Sequence, residues 1–525
     1  MINKTNLEIS KNTSSKYWLI AIIVSILTTG YLRLQLMIVG PETDGGINTF
    51  VNQFIFTNLN KGNDLNGPIP LHLYSYLTAW VYSLEINQYI FLRIIDGLIA
   101  MFASILFFQV ILRESKSIIF TMVLIIPLLI IMNDAVNIGF GFKNSIWVSY
   151  VPFFTALLIW QKLTKEDRFS FYFIGALISL GVLFREPFLP FFILTGFVIY
   201  INYGWRILLK YLIGSASLGF SIIILVLLHR GGDLIGFVNS YVIFAGGLKD
   251  YAVSEWSSFL QWGLYTIKVN WMLCIISVFS AIYIIKSYFF DKKMIPINRF
   301  YFWLAISFIP LLEPIMKVGF PYHFANCLPG LAGLSAMAWK QMNTNESKIK
   351  NRLSIATISL MSFFIILPTL NHALKDDNIL SPLEVFKWAN SNDAFRQKII
   401  VENNNYLIAA ARIYELSRED STLVVSGHMQ AIYPLTGLLP PIYELNDLRT
   451  LYSGLNFNEN KLLKIIEKYR PTLILTTNLI GKGEKDLPGI INKTNLYNKV
   501  GVIEENLEID YGWKSGIIYR LKDFK

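Results

Sequence analysis

The chain has 525 residues, of which 54% are hydrophobic and 16% charged, with a mean hydropathy of +0.46 and a net charge of +10. These proportions exclude an ordinary soluble domain and describe a polytopic α-helical membrane protein. The basic excess is divided among short loops without aromatic interleaving, which argues against a nucleic-acid partner.

Apolar runs of span length begin at 17–38 and recur at 90–112, 117–133, 144–162, 169–184, 188–204, 211–228, 264–286, 300–316, 324–340 and 353–373. A run of ~20 apolar residues crosses the hydrocarbon core, so about 11 crossings (11–13) are expected, the shorter runs being tolerable inside a bundle. The first run is long and no small-residue cleavage pattern follows it, so it reads as a span rather than a cleaved signal. Basic clusters at Lys162/Lys165/Arg168, Arg206/Lys210, Lys286/Lys292/Lys293/Arg299 and Lys340/Lys348/Lys350/Arg352 mark cytoplasmic loops. Segments 39–69, 185–187, 229–263 and 317–323 then fall outside. Counting 70–86 as a span would reverse every later loop, so it reads as a re-entrant or interfacial helix. Cys274 and Cys327 lie inside apolar runs and read as packing residues; neither a disulfide framework nor zinc spacing is present. Loop 229–263, with Gly231, Gly232, Gly246, Gly247 and Trp256, suits a binding loop or an interfacial one.

After His372 the long runs cease. The expected division is a transmembrane domain over 1–373, whose external loop 39–89 carries an acidic motif, and a soluble external α/β domain over 374–525. Within the latter, Ser381-Pro382-Leu383-Glu384 reads as a helix start, 421–427 as a buried strand, Asn458 as the cap of a helix over Lys461 to Tyr469, and 470–477 as a second buried strand.

The groups that can carry chemistry gather at the external ends of spans. Asp44, in Glu42-Thr43-Asp44-Gly45-Gly46, can accept a proton from a hydroxyl; Glu42 can raise its basicity or share a divalent metal with it. The plainer reading makes Asp44 the turn and cap of a helix over Ile47 to Asn58. Arg93, Arg185, Lys317 and His323 can surround a phosphate, whereas the plainer reading pairs Arg93 with Asp96 and Arg185 with Glu186. His72 is a hydrogen-bond donor or metal ligand by type, and Asp134 with Lys143 can line an acceptor cleft. Hydrolase elbows, Walker loops and Rossmann fingerprints are missing from the sequence.

The order of these motifs resembles the GT-C membrane glycosyltransferases, the group of protein O-mannosyltransferases and the lipid A aminoarabinose transferase. The matching residues are Glu42-Thr43-Asp44, then Pro68-Ile69-Pro70-Leu71-His72-Leu73-Tyr74, then Arg93, and later Tyr322-His323-Phe324 ahead of Pro329. Two departures stand out: Asn66-Gly67 precede Pro68 where the family often has a lysine, and Ile69 splits the paired prolines. The resemblance implies transfer of a sugar from a polyprenyl-phosphate donor to a glycan, lipid or protein acceptor, outside a bacterial inner membrane. Asp44 would be the general base of an inverting attack, and Arg93, Arg185, Lys317 and His323 would hold the leaving phosphate. Glu42, His72, Tyr74, Asp134 and Tyr322 would line the cleft. No nucleotide is needed, and a divalent ion at Glu42/Asp44 stays open. An envelope polysaccharide polymerase or ligase and a flippase of lipid-linked sugars are the competing readings; the early acidic turn weighs against the first and the lack of internal repeats against the second.

Overall fold

The computed structural model describes residues 16–36, 43–60, 73–84, 88–133, 144–163, 169–229, 235, 256–289, 297–316, 321–343, 405–427, 429–477, 487–503 and 516–523. The chain divides into two compact units: 1–37, 93–222 and 254–381 form the first, and 38–92, 223–253 and 382–525 form the second. The division expected at 373/374 itself lies outside the described residues.

The helices in chain order are α1 Tyr31–Leu36, α2 Thr43–Asn60, α3 Leu73–Thr78, α4 Gln88–Ser115, α5 Ile118–Asn133, α6 Asn144–Lys162 and α7 Ser170–Phe184. They continue as α8 Leu189–Tyr203, α9 Trp205–His229, α10 Trp256–Val269, α11 Trp271–Phe289, α12 Ile297–Phe308, α13 Leu312–Met316, α14 Pro321–Ala325 and α15 Leu328–Asn343. The C-terminal segment supplies α16 Asn405–Leu416, α17 Ile432–Thr436, α18 Leu448–Gly454, α19 Glu459–Tyr469 and α20 Leu487–Lys493. Its strands are β1 Leu423–Val425, β2 Leu473–Thr477, β3 Tyr497–Ile503 and β4 Gly516–Leu521.

The first unit is helical throughout its described part. Among the described residues of the chain, three helices are long and apolar enough to cross a membrane: Phe91–Ser115, Trp205–Leu225 and Trp271–Phe289. Shorter apolar helices accompany them at Ile118–Asn133, Ser170–Phe184 and Leu189–Tyr203. Large side chains such as Ile193, Phe197, Phe220 and Phe279 are exposed, the pattern of helices that face lipid rather than water. The interior is aromatic: Phe107 stacks on Phe154 with centroids 4.8 Å apart, and Phe120 on Trp339 at 4.6 Å. Helix α7 meets α9 through reciprocal glycines. A Cβ at Gly175 would lie 2.0 Å from the Tyr211 carbonyl oxygen, and one at Gly214 would lie 2.0 Å from that of Tyr172. Only residues without a side chain allow backbones this close.

The expected span at 300–316 is interrupted. It stops as α12 at Phe308, tightens into a 3-10 turn over Ile309–Leu311 around Pro310, and resumes as α13. Proline removes a helical donor and crowds the preceding turn, which accounts for the break. Residues 229–263 are not loop to their end, because α10 already begins at Trp256. The segment 70–86, read as re-entrant, forms the six-residue α3 and a 3-10 turn over Ala79–Ser83. At 1.5 Å per residue such a helix rises only about 9 Å, too little to cross.

The second unit is a four-stranded sheet in the order β1-β2-β4-β3, with β1 parallel to β2 and the other pairs antiparallel. Alternate residues of each strand feed opposite cores, as a period of two requires. Leu423, Val425, Leu473, Leu475 and Ile518 pack on one face with Phe50, Val51, Phe54 and Ile55 of α2 and with α16 and α17. Val424, Ile474 and Tyr519 pack on the other with α18, α19 and α20. Both faces are therefore covered over β1 and β2, which read as near-continuous apolar runs, whereas the edge strand β3 keeps Asn498 and Lys499 exposed. Helix α19 starts where Asn458 accepts a hydrogen bond from the Lys461 amide at 3.0 Å, as its sequence predicts. The expected helix start at Ser381 lies outside the described residues.

One local expectation is overturned. Gly45 and Gly46 do not form a turn after Asp44; α2 begins at Thr43, so Asp44 is its second residue and both glycines are helical. A helical glycine costs about 1 kcal/mol relative to alanine, so something must favour it here. At Gly46 the reason is contact: a Cβ would lie 2.5 Å from that of Ala431.

Candidate active site

The break at Pro310 sets Glu313 at the start of α13, inside the first unit. Glu313 is 8% exposed and organises the polar groups around it. Its Oε1 accepts a hydrogen bond from Arg185 Nη2 at 2.8 Å and lies 3.6 Å from His323 Nε2. Its Oε2 accepts from Asn326 Nδ2 at 3.0 Å, and Tyr150 donates its hydroxyl proton to Asn326 Oδ1 at 3.1 Å. His323, Asn326 and Tyr150 are all buried. The Tyr322 ring stands edge-on to His323 with centroids 4.3 Å apart.

Local structure explains each placement. Arg185 follows the last turn of α7, where its backbone turns extended and its amide still bonds Gly181. A cation there complements the negative end of the helix dipole. His323 lies on α14, and Asn326 lies in the turn leading to α15. An arginine largely withdrawn from water in an apolar bundle is costly unless paired, and Glu313 supplies the pairing. The pairing is incomplete: Arg185 Nη1 is buried and finds no hydrogen-bond partner among the described residues. The cluster thus holds a fixed cation, a second group that becomes cationic on protonation, and one carboxylate.

A second buried polar cluster lies in the same unit. Arg33 donates from Nη1 to Asp96 Oδ2 and from Nε to Asn133 Oδ1, each at 2.9 Å, and its guanidinium lies 5.7 Å from the Trp147 ring centroid. Asn133 continues to Thr29, which bonds Ser104 at 2.8 Å. Trp147 and Tyr150 are one turn apart on α6, so that helix touches both clusters.

The expected site residues fare unequally. Arg185, His323 and Tyr322 are brought together around Glu313, which pairs with Arg185; the side chain of Glu186 lies outside what the structure describes. The ion pair of Asp96 is with Arg33, and Arg93, three residues before it on α4, adds its positive field there. Asp44 is the second residue of α2, and Tyr74 is buried on α3, both in the second unit. Glu42, His72, Asp134, Lys143 and Lys317 lie outside the described residues. No group of three His, Cys, Asp or Glu residues suited to a metal occurs among the described residues, and the proposed Glu42/Asp44 pair falls outside that test. Sequence reasoning passed over Glu313, Arg33, Asn326 and Tyr150. The available signal was a charge inside an apolar run, present for Glu313 in 300–316 and for Arg33 in 17–38.

Neither a protein-family model nor a curated protein matches the chain. Among solved structures, it is similar to ArnT from Cupriavidus metallidurans bound to undecaprenyl phosphate, at 10% identity over 98% of both chains with a TM-score of 0.48. It is also similar to the archaeal oligosaccharyltransferase AglB from Archaeoglobus fulgidus in complex with an inhibitory peptide and a dolichol-phosphate. There the identity is 12% over 89% of this chain and 70% of that one, with a TM-score of 0.47. Both have the GT-C fold named by the motif resemblance. With both TM-scores below 0.5, neither likeness assigns a substrate or a residue role here.

Proposed function

We propose that this chain is an integral-membrane glycosyltransferase that moves a sugar from a polyprenyl-phosphate carrier to a hydroxyl of a cell-envelope acceptor, outside the inner membrane. The observation that carries this reading is the buried Arg185–Glu313–His323–Asn326 cluster, with Arg185 Nη1 lacking a partner among the described residues. A lipid-linked sugar phosphate is a monoanionic diester. When the bond between the anomeric carbon and the phosphate oxygen breaks, the leaving phosphate gains a second negative charge. A fixed guanidinium with one spare donor meets that growing charge, and a protonated His323 adds to it. Glu313 keeps the guanidinium oriented before substrate arrives, so little reorganisation is needed at the moment of reaction.

The acceptor proton goes to Asp44 in this reading. Its backbone lies in the first turn of α2. An ionised carboxylate at neutral pH is ready to accept a proton from an incoming hydroxyl. Attack of the resulting oxygen from the face opposite the phosphate inverts the anomeric centre. Arg93 and Lys317 are further candidates for the phosphate, and Glu42, His72, Tyr74, Asp134 and Tyr322 for the cleft wall.

The lipid-phosphate part of the reading is tested by thermal unfolding of detergent-solubilised protein with undecaprenyl phosphate, and with undecaprenol as control. The phosphate should raise the midpoint in wild type, by an amount corresponding to ~2.7 kcal/mol at a hundredfold excess over Kd. The alcohol should not, and Arg185→Ala should abolish the rise. An equal rise with phosphate and alcohol, or an undiminished one in Arg185→Ala, rejects the reading.

A further inference from the structure

The helix that carries Asp44 is built into the C-terminal domain. Along α2, Gly46, Phe50, Gln53 and Phe54 form one stripe, and each meets a residue from the segment that follows β1. A Cβ on Gly46 would lie 2.5 Å from Ala431 Cβ and 2.8 Å from its Cα and N. Phe50 lies 4.6 Å from Tyr433 and stacks on Tyr443 at 5.8 Å, ring centre to ring centre. Phe54 meets Tyr443 edge-on at 5.2 Å, and Gln53 donates to the Leu438 carbonyl at 3.4 Å.

The receiving surface is itself fixed to the sheet. The Tyr433 hydroxyl accepts from the Val425 amide of β1 at 3.2 Å and donates to the Asn446 carbonyl at 3.0 Å. Asp447, next in the chain, accepts from the Gly427 and Arg449 amides at 3.1 and 3.0 Å. A chain of contacts therefore runs from strand β1 through Tyr433 to Phe50, one turn beyond Gly46. Asp44 precedes Gly46 by two residues, in the same first turn of α2.

From this geometry we infer that Gly46, Phe50 and Tyr443 are positioning residues for Asp44, and that the C-terminal domain is a working part of the reaction rather than an appended module. The inference rests on the reading of Asp44 as the base. A glycine in the first turn of a helix is locally unfavourable, and its close approach to Ala431 sets how near α2 sits to the domain. Ordinary van der Waals contact begins at 3.4 Å, so a methyl at position 46 moves the first turn by about 1 Å. Misplacement by that distance costs a reaction up to ~10²-fold in rate without changing any group that touches the donor.

The test uses the full-length chain in liposomes and has two readouts. In a background with Cys274→Ala and Cys327→Ala, the alkylation rate of Asp44→Cys by iodoacetamide is followed against pH, alone and with Gly46→Ala or Phe50→Leu. The second substitutions should change the rate at least threefold or move its pH midpoint. In parallel, transfer from polyprenyl-phosphate sugars to envelope extract should show kcat lowered ~10-fold or more in Gly46→Ala, with donor KM held within about twofold. Phe50→Leu, which keeps the core apolar, should give an intermediate loss. Unchanged alkylation in both variants overturns the inference. So does unchanged kcat in Gly46→Ala when Asp44→Asn abolishes transfer. Full transfer by Asp44→Asn rejects the base reading instead, which separates the two failures.

Discussion

At the scale of single residues, one carboxylate decides whether the cationic site exists. Glu313 satisfies Arg185 and Asn326 and lies beside His323, so its loss leaves a guanidinium buried and uncompensated. Breaking a buried pair in this way typically costs 3–5 kcal/mol, against about 1 kcal/mol or less for an exposed pair such as Arg412–Glu415. Glu313→Ala is therefore expected to lower the unfolding midpoint and to weaken undecaprenyl phosphate binding, while Glu415→Ala leaves both unchanged. Thermal unfolding with and without the lipid reads both effects. This scale was the hardest to read in advance. Arg185 and His323 stood out as charges at span ends, but the partner of Arg185 lies 128 residues away. Proximity along the chain is the only distance a sequence displays, and Glu313 is remote by that measure. The same limit hid the pairing of Arg33 with Asp96 across 63 residues.

Among the elements, periodicity and caps carried over best. The strand over 470–477 and the helix capped by Asn458 appear almost where the sequence puts them, since an unbroken apolar run and a capping side chain are local causes. Removing that cap with Asn458→Ala is expected to cost about 1 kcal/mol, seen as a shift in the denaturation midpoint of the C-terminal domain. The glycines of α2 were misread for a related reason: local propensity favours a turn at Gly45-Gly46, and only the packing against Ala431 reverses it. Close backbone approach between α7 and α9 follows the same logic. Gly214→Leu forces a side chain onto the Tyr172 carbonyl and should cost about 1–3 kcal/mol. Gly219→Leu on the same helix, with nothing within 4 Å of its Cβ position, should be neutral by the same unfolding assay.

On the whole-molecule scale, the composition forecast a lipid-facing helical body and a soluble tail. It did not forecast that residues 38–92 would join the C-terminal segment in one compact unit, because that union depends on which apolar faces meet. Tyr433, wedged between α2 and β1, makes the union sensitive to alkali. Burial pushes its phenol well above the ordinary value of 10.0. In the unfolded chain the group ionises near pH 10 while the folded one stays neutral, so this contribution is fully present below pH 10 and is lost as pH rises further. Denaturation of the C-terminal domain should therefore become easier above pH 10, and less steeply so in Tyr433→Phe.

The central claim is sugar transfer from a lipid phosphate, and the most direct measurement is transfer itself. Purified protein in liposomes is given radiolabelled polyprenyl-phosphate sugars and envelope extract, with wild type, Asp44→Asn and Arg185→Ala side by side. The account predicts labelled acceptor from wild type, none from Asp44→Asn, and a loss of ~10²–10³-fold from Arg185→Ala. Labelled acceptor formed equally by all three, or sugar-lipid moved across the bilayer by wild type with no acceptor labelled, would contradict it.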